Sequence, residues 1–516
     1  MALSALEYSF LFFATLYFVS IRQWRQNKKN ITLPPGPPRK PIVGNLFDIP
    51  QHKSWLKFSE WHKQHGDLVY VEALGNKILV LNTMKAVNDL LVDRANIYSD
   101  RPTFTMVGEL MGLENSLALS PYGPTLRQHR KLCHVAFSPE AVKKYHGIQE
   151  EAITMYLKEI IEMPQNFVKQ LRLTAGRIIM SVTYGIPAST PDDVYIVEAE
   201  ETMEMIGKST VPGAHLVDLL PILRLLPSWF PYNSIPRVAK YGRDLIWSMI
   251  SRPYEAVKVD RSTGTALPSF VADCLDLFES GDMALSTEDA DHLIRWAAGA
   301  MYGAGAETTY ATILSFMIAM VKFPDVQKKL QEEIDRVIGS DRLPTVQDRP
   351  NLPYVNAAIK EALRWRPALP FSIARKLKED DVYNGYLIPK GTIVMPNVWT
   401  ISVDNESGIP PEQFAPERFL EQNAGKTAQD PTSYAFGFGR RICPGRHLGE
   451  TNLFLLISGL SATVDIGGPV DMKNDPRLFD AEYTSGLVSH PKPYELKITP
   501  RSQEIATFVK ERAEAV

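Results

Sequence analysis

Cys443 stands in the run Phe436-Gly437-Phe438-Gly439-Arg440-Arg441-Ile442-Cys443-Pro444-Gly445, and this loop constrains the fold more than any other stretch. Gly439 and Gly445 lack a Cβ, which predicts sharp turns and a close backbone approach to a flat ligand. Arg446 to Leu460 reads as a helix, so the cysteine lies just ahead of an N-terminus whose amides and dipole favour negative charge. Arg441 adds a fixed positive charge, and Phe436 offers a ring to shield the sulfur from water. The expectation is a thiolate ligand rather than an inert buried thiol.

The other two cysteines, Cys133 and Cys274, make an odd and sparse set, which argues against a disulfide framework and for a reducing compartment. A hydrophobic share of 45% with 22% charged residues is ordinary for a globular chain. The net charge of −3 gives no electrostatic footprint for nucleic acid.

The first residues depart from that picture. Leu3 to Ile21 is apolar over about the length that crosses a bilayer, and Arg22, Arg25, Lys28 and Lys29 come directly after it. The positive-inside rule then predicts an uncleaved anchor over residues 1–21, with the rest of the chain cytoplasmic. Glu7 must sit near the lumenal interface or be protonated. Residues 22–41 form a basic hinge stiffened by Leu33-Pro34-Pro35-Gly36-Pro37-Pro38. Residues 42–500 read as one continuous body, and 501–516 as a polar tail.

The body is expected to be mainly α with small β-sheets. Leu68 to Asn82 reads as a hairpin around Gly75-Asn76. Met84 to Val92 and Leu126 to Phe137 read as amphipathic helices, and Tyr386 to Met395 and Pro493 to Thr499 as strands. Leu219 to Tyr232 is apolar, aromatic and broken by Pro221, Pro227 and Pro231. It has two readings: a loop dipping into a membrane, or one packed on the domain itself.

Leu293 to Phe323 has a helical pattern with Gly303-Ala304-Gly305-Ala306-Glu307-Thr308-Thr309 at its centre. Each glycine inside a helix costs roughly 1 kcal/mol against alanine, so the pair needs a reason. One reason is room for a flat macrocycle and local opening of the helix; the other is close helix–helix packing. Thr308 and Thr309 are placed to bond back to preceding carbonyls. Further on, Glu361 and Arg364 share one face of the predicted helix Val355 to Trp365.

The spacing F-x-x-G-x-R-x-C-x-G at Phe436 to Gly445 resembles the haem-binding loop of the cytochrome P450 monooxygenases. Ala304-Gly305-x-Glu307-Thr308-Thr309 resembles that family's oxygen-binding groove, and Glu361-x-x-Arg364 with Pro416-Glu417-Arg418-Phe419 downstream keeps its order. The resemblance covers Pro34 to Pro500 and implies the family's fold, preceded by a single N-terminal transmembrane helix. It implies that Cys443 is the axial ligand of haem b, the only metal ligand, pushing electron density toward O–O cleavage. Phe436, Gly439, Arg441 and Gly445 would belong to the cofactor site, and Arg130 and Arg375 would join Arg441 on the propionates. Leu126 and Ala374 stand where the family commonly has tryptophan and histidine, so His129 or water is expected to help. Glu307 would be the proton-relay acid and Thr308 its hydroxyl partner. Glu361, Arg364 and Arg418 would form a structural buried network.

NADPH would supply electrons indirectly, through an acidic flavoprotein reductase. Arg127, Arg130, Lys131, Lys143 and Lys144 read either as its docking charge or as a solvated helix face. By position Phe104, Met106, Val107, Ala298, Tyr302, Leu369, Phe371, Ile373, Leu487 and Val488 would line the substrate pocket, implying an apolar small molecule. The chain resembles fungal microsomal members used in secondary metabolism, including O-methylsterigmatocystin oxidoreductase relatives and tryptamine hydroxylases. The expected location is the endoplasmic reticulum membrane, single-pass, with the catalytic domain facing the cytoplasm. A terpenoid substrate is preferred and an aromatic or indolic one comes second. A haem-thiolate isomerase or dehydratase, and a non-enzymatic haem sensor or electron carrier, stand as the competing readings.

Overall fold

The computed structural model describes residues 32–515 apart from 189, 191, 212, 231–232, 404–407, 421–427, 470–478 and 480. The anchor expected over 1–21 and the basic part of the hinge, 22–31, lie outside the described residues.

Helix α1 (Ser54–His65) leads into the antiparallel strands β1 (Leu68–Ala73) and β2 (Asn76–Leu81). The turn is Leu74-Gly75, with φ of 47° and 83°, one residue earlier than the pattern suggested. Positive φ at both central residues matches the right-handed strand twist, which is why a two-residue connection works here. The helix expected over Met84 to Val92 is one α turn, Met84–Val87, and then a π turn, Asn88–Asp93. That segment supplies the Leu91 carbonyl to Arg375 Nη1 at 3.4 Å.

The helical body comprises α2 (Pro124–Phe137), α3 (His146–Glu162), α4 (Phe167–Tyr184), α5 (Val194–Ser209), α6 (Ile235–Thr263), α7 (Thr287–Lys322), α8 (Pro353–Trp365) and α9 (Arg446–Thr463). Helix α7 begins where Ser286 Oγ accepts from Asp289 N at 3.1 Å. Among the described residues it is the one helix long and apolar enough to cross a membrane. Its apolar window is 72% buried inside the protein, which marks it as the central core helix.

The small sheets are short, as expected. The run Tyr386 to Met395 breaks at Pro389 to Gly391 into two strands. One is β5 (Tyr386–Ile388), paired with β4 (Asp381–Tyr383); the other is β6 (Ile393–Pro396). Strand β6 joins β3 (Arg375–Lys376) in a four-stranded sheet of order β1-β2-β6-β3. Strands β7 (Val464–Gly467) and β8 (Lys497–Pro500) close a third sheet, so the last expected strand starts later than Pro493.

The described part of the Leu219–Tyr232 segment divides: Leu223 packs against the core, Arg224 pairs with Glu109 and Leu219 O accepts from Asn76 Nδ2, while other apolar side chains face outward. Leu225 is 70% exposed and Trp229 80% exposed, while Pro231 and Tyr232 lie outside the described residues.

Candidate active site

Three segments build the site: the cysteine loop before α9, the centre of α7, and the chain around β3. The loop turns at Gly437 (φ 77°) and Gly439 (φ 48°), and Cys443 N donates to Phe436 O at 2.7 Å. A Cβ on Gly439 would collide with the Leu91 carbonyl, so that glycine is required twice over. Gly445 is different: its φ of −83° suits any residue, correcting the expectation of a sharp turn there. Phe436 packs its ring beside Gly449 on the first turn of α9.

Cys443 opens onto a cavity of about 270 Å³ that it shares with Arg130, Cys133, His134, Phe137 and Arg446. Protein surrounds the sulfur on a wider scale, and that burial pushes the thiol above its ordinary value. The Gly445 amide, Arg130 and Arg446 oppose the rise. Arg441, expected from its sequence position to be the sulfur's cation, instead donates to Ser99 O at 2.9 Å and Ser120 O at 2.7 Å.

Arg441 belongs to a buried arginine cluster. Arg375 donates to Phe438 O at 2.7 Å, and Arg101 donates to the carbonyls of Ala118, Ile373 and Ala374, each at 2.7 Å. Burial, sharpened by Arg441 and Arg375, holds Arg101 far below the ordinary guanidinium value. Burial likewise pushes Arg375 down to about 9 and Arg441 to about 10. The Asp100 carboxylate acts on Arg101 and Arg441 and opposes the fall. Three buried guanidiniums that disfavour one another call for anionic partners, which a dicarboxylate would supply.

Sequence reasoning misses Arg101, whose only sequence signal is an arginine directly after Asp100 and before Pro102. Its bond to the Ala374 carbonyl brings a cation to the place where histidine is missing. Arg130 donates to Ile442 O at 3.0 Å on the cysteine loop, and its charge also acts on Arg441. His129 is fully buried, and neither of its ring nitrogens has a hydrogen-bond partner among the described residues.

Helix α7 stays regular through its centre, contrary to the expected local opening. A Cβ on Gly305 would lie 2.8 Å from Ile179 Cδ1 of α4, and one on Gly303 would lie 3.1 Å from Met203 Sδ of α5. The glycines therefore let helices approach, and the open positions are the exposed Ala304 and the part-buried Thr308. Thr308 Oγ1 donates to Ala304 O at 3.1 Å, and Thr309 Oγ1 to Gly305 O at 3.4 Å. Glu307 pairs with Arg172 at 3.8 Å rather than with Thr308.

The structural network is compact. Arg364 Nε and Nη2 donate to Glu361 at 2.6 and 2.8 Å, and Arg418 Nε donates to it at 3.2 Å. Their side chains are at most 1% exposed. Both arginines also donate to backbone carbonyls between Ser402 and Gln413, so the network pins the segment leading to the cysteine loop.

The expected pocket divides. Tyr302 Oη donates to Tyr195 O at 3.2 Å on α5, and Phe371 packs edge-on against Trp55 and Phe58 near α1. Ala298, Met106 and Val107 are buried in the main core cluster, with Phe104 packed against it. Leu369, Ile373, Leu487 and Val488 remain partly open. The basic helix face also thins out, because Lys143 pairs with Glu140 and Lys144 with Asp273.

The chain belongs to the cytochrome P450 family, whose profile matches residues 34–498, and it is a monooxygenase enzyme. Haem b is the family's cofactor, and delivery of NADPH electrons through a reductase is standard for it. The chain is 40% identical to cytochrome P450 monooxygenase claR of Ampulloclitocybe clavipes, over 96% of this chain and 91% of that protein. It is 38% identical to cytochrome P450 monooxygenase COX2 of Coprinopsis cinerea, over 94% and 92%. It is 35% identical to tryptamine 4-monooxygenase of Psilocybe cyanescens, over 96% and 97%.

Proposed function

We propose that this enzyme hydroxylates an apolar small molecule, a terpenoid by preference, in fungal secondary metabolism. The observation that carries the reading is the pairing of a thiol that opens onto a cavity, Cys443, with a buried arginine cluster that calls for anionic partners. Haem b meets both demands, with iron for the sulfur and two propionates for Arg101, Arg375 and Arg441, and supplies the oxygen-activating chemistry when bound.

The residues around it have separable tasks. Phe436 and the cysteine loop hold the sulfur and limit water. Glu361, Arg364 and Arg418 fix the segment on which that loop depends. Thr308 presents a hydroxyl at the open face of α7, and Glu307 is the titratable group that moves a proton toward it. Such a relay serves oxygen activation, and an isomerase or a passive electron carrier has no use for it. Leu369, Ile373, Leu487 and Val488 favour a hydrocarbon-rich ligand. The relative named for tryptamine favours an indolic substrate as the second reading.

We place the enzyme on the endoplasmic reticulum membrane, with a single-pass anchor and its body in the cytoplasm. The apolar run before Arg22 supports this, as do the exposed Ile222 (68%), Leu225 (70%) and Trp229 (80%), tied to the β1–β2 turn by Asn76 Nδ2 donating to Leu219 O.

Candidate terpenoids and indoles are titrated into the ferric holoenzyme and the Soret shift is read. Ligands that shift it are then turned over with reductase, NADPH and O2. A hydroxylated terpenoid supports the proposal. A hydroxylated indole moves it to the second reading, and turnover with peroxide alone or none at all contradicts it.

A further inference from the structure

The cavity of about 270 Å³ beside Cys443 is basic. Arg130 and His134 line it from α2, Arg446 and His447 line it from the start of α9, and no carboxylate among the described residues does so. Arg130 Nη1 is fixed against the cysteine loop by its bond to Ile442 O. Arg446 Nε lies 3.9 Å from a Glu450 oxygen, too long for a hydrogen bond, and Glu450 Oε2 accepts from Arg349 Nη2 at 3.4 Å instead. Haem bound to Cys443 needs the space between the sulfur and the open face of α7. No residue of α7 or β3 lines the cavity, so the two spaces are distinct and meet at Cys443.

Ser138 lines the same cavity. It follows the last residue of α2 in extended backbone (φ −62°, ψ 153°), and its Oγ accepts from Ala141 N at 3.3 Å. Pro139 and Glu140, directly after it, are exposed. Two guanidiniums and two imidazoles around one space, with no acid among them, suit a tetrahedral anion. A guanidinium offers paired N–H donors to phosphate oxygens, and a phosphate opposite arginines gains about 1–3 charge-assisted hydrogen bonds. None of the roles given above accounts for His134, Ser138 or His447.

We propose that this cavity is a phosphate site, taking a phosphoryl group that arrives either as inorganic phosphate or as the phosphoester of Ser138, and that filling it makes the haem iron harder to reduce. The second half rests on Cys443 being the iron ligand. Ferric haem carries one positive charge more than ferrous haem, so a dianion beside the sulfur favours the ferric form. On the covalent route a protein kinase that accepts proline directly after its target serine is the co-reactant, with ATP as donor. The bond from Ser138 Oγ to the γ-phosphorus forms, the bond from that phosphorus to ADP breaks, and the hydroxyl proton passes to the kinase's base. On the other route phosphate enters from solvent and no bond is made.

The test uses the full-length holoenzyme in phosphate-free buffer and two readouts. Equilibrium dialysis with radiolabelled inorganic phosphate reads binding, and dye-mediated titration reads the haem midpoint potential, with chloride at equal ionic strength as control. Saturable binding should be weakened at least about tenfold by Arg446→Gln with His447→Gln, the loss of charge-assisted bonds, and Arg446→Lys should retain most of it. Phosphate should move the midpoint to a more negative value in wild type and not in the double variant. Phosphoserine installed at position 138 should make the same shift unaided and exclude free phosphate. Binding that persists in Ser138→Ala identifies inorganic phosphate as a source. A shift from phosphoserine alone, cancelled by the double variant, identifies the phosphoester. Binding that the double variant leaves unchanged overturns the proposal, as does a midpoint that neither phosphate source moves. His447→Gln alone carries the test if the double variant fails to fold. Dialysis reads the site whatever the iron ligand is, and a wild type without the thiolate-type carbon monoxide band would sink the haem-thiolate reading instead, so the two failures are distinguishable.

Discussion

Replacing Glu361 by glutamine removes one charge with almost no change of shape, and the cost can be worked from the contacts it breaks. The carboxylate accepts from Arg364 twice, from Arg418 Nε and from Ala415 N at 2.8 Å, with all three charged side chains at most 1% exposed. In Glu361→Gln the Arg364 and Arg418 guanidiniums stay buried and lose the carboxylate they share, and the new amide group turns a donor toward one of them. Breaking a buried ionic network from one side typically costs about 3–5 kcal/mol, and the upper end is expected because both arginines are anchored to carbonyls and cannot swing out to water. The assay is urea unfolding at pH 7 monitored by tryptophan fluorescence, with Glu60→Gln on the exposed face of α1 as control. A loss below about 1 kcal/mol would mean the pair behaves as a surface salt bridge, refuting the burial argument.

Three further outcomes are expected. Arg101→Met should release haem to a scavenging apoprotein on the order of a hundredfold faster, because about 3 kcal/mol of buried charge pairing is lost; release as slow as wild type would remove Arg101 from the cofactor site. His129 is buried and its folded-state value is pushed down to about 4, below the ordinary 6.5. The folded protein therefore binds fewer protons than the unfolded chain between those values, so stability present above pH 6.5 is lost as the pH falls toward 4, by roughly 3 kcal/mol. Urea unfolding of His129→Phe across that window should show a flatter pH dependence than wild type. Trp229→Asp should weaken binding of an anchor-deleted chain to phosphatidylcholine vesicles by at least about tenfold in a flotation assay.

Much of the site was legible because its chemistry lies in adjacent residues. The cysteine loop, the Glu-Thr pair and the Glu361/Arg364 spacing are each read within a few positions. What the sequence hid depends on contacts far apart in the chain. Arg101 meets the carbonyls of Ile373 and Ala374 only after the chain folds across 272 residues or more. The glycines of α7 look like room for a cofactor until Ile179 and Met203 are seen against them. Tyr302 and Phe371 are aromatic at plausible pocket positions, but the Tyr195 carbonyl of α5 and the aromatic rings of α1 decide where they point. The hairpin was placed well because alternating β-branched residues and a glycine turn are local signals, whereas the π turn at Asn88–Asp93 answers to a distant arginine.

Whether the Cys443 sulfur carries iron decides every role assigned around it. Dithionite-reduced, haem-loaded protein under carbon monoxide should give the far-red-shifted Soret band of thiolate ligation, and Cys443→Ala should abolish it while leaving the fold intact by circular dichroism. A wild type without that band, or an alanine variant that keeps it, would contradict the assignment.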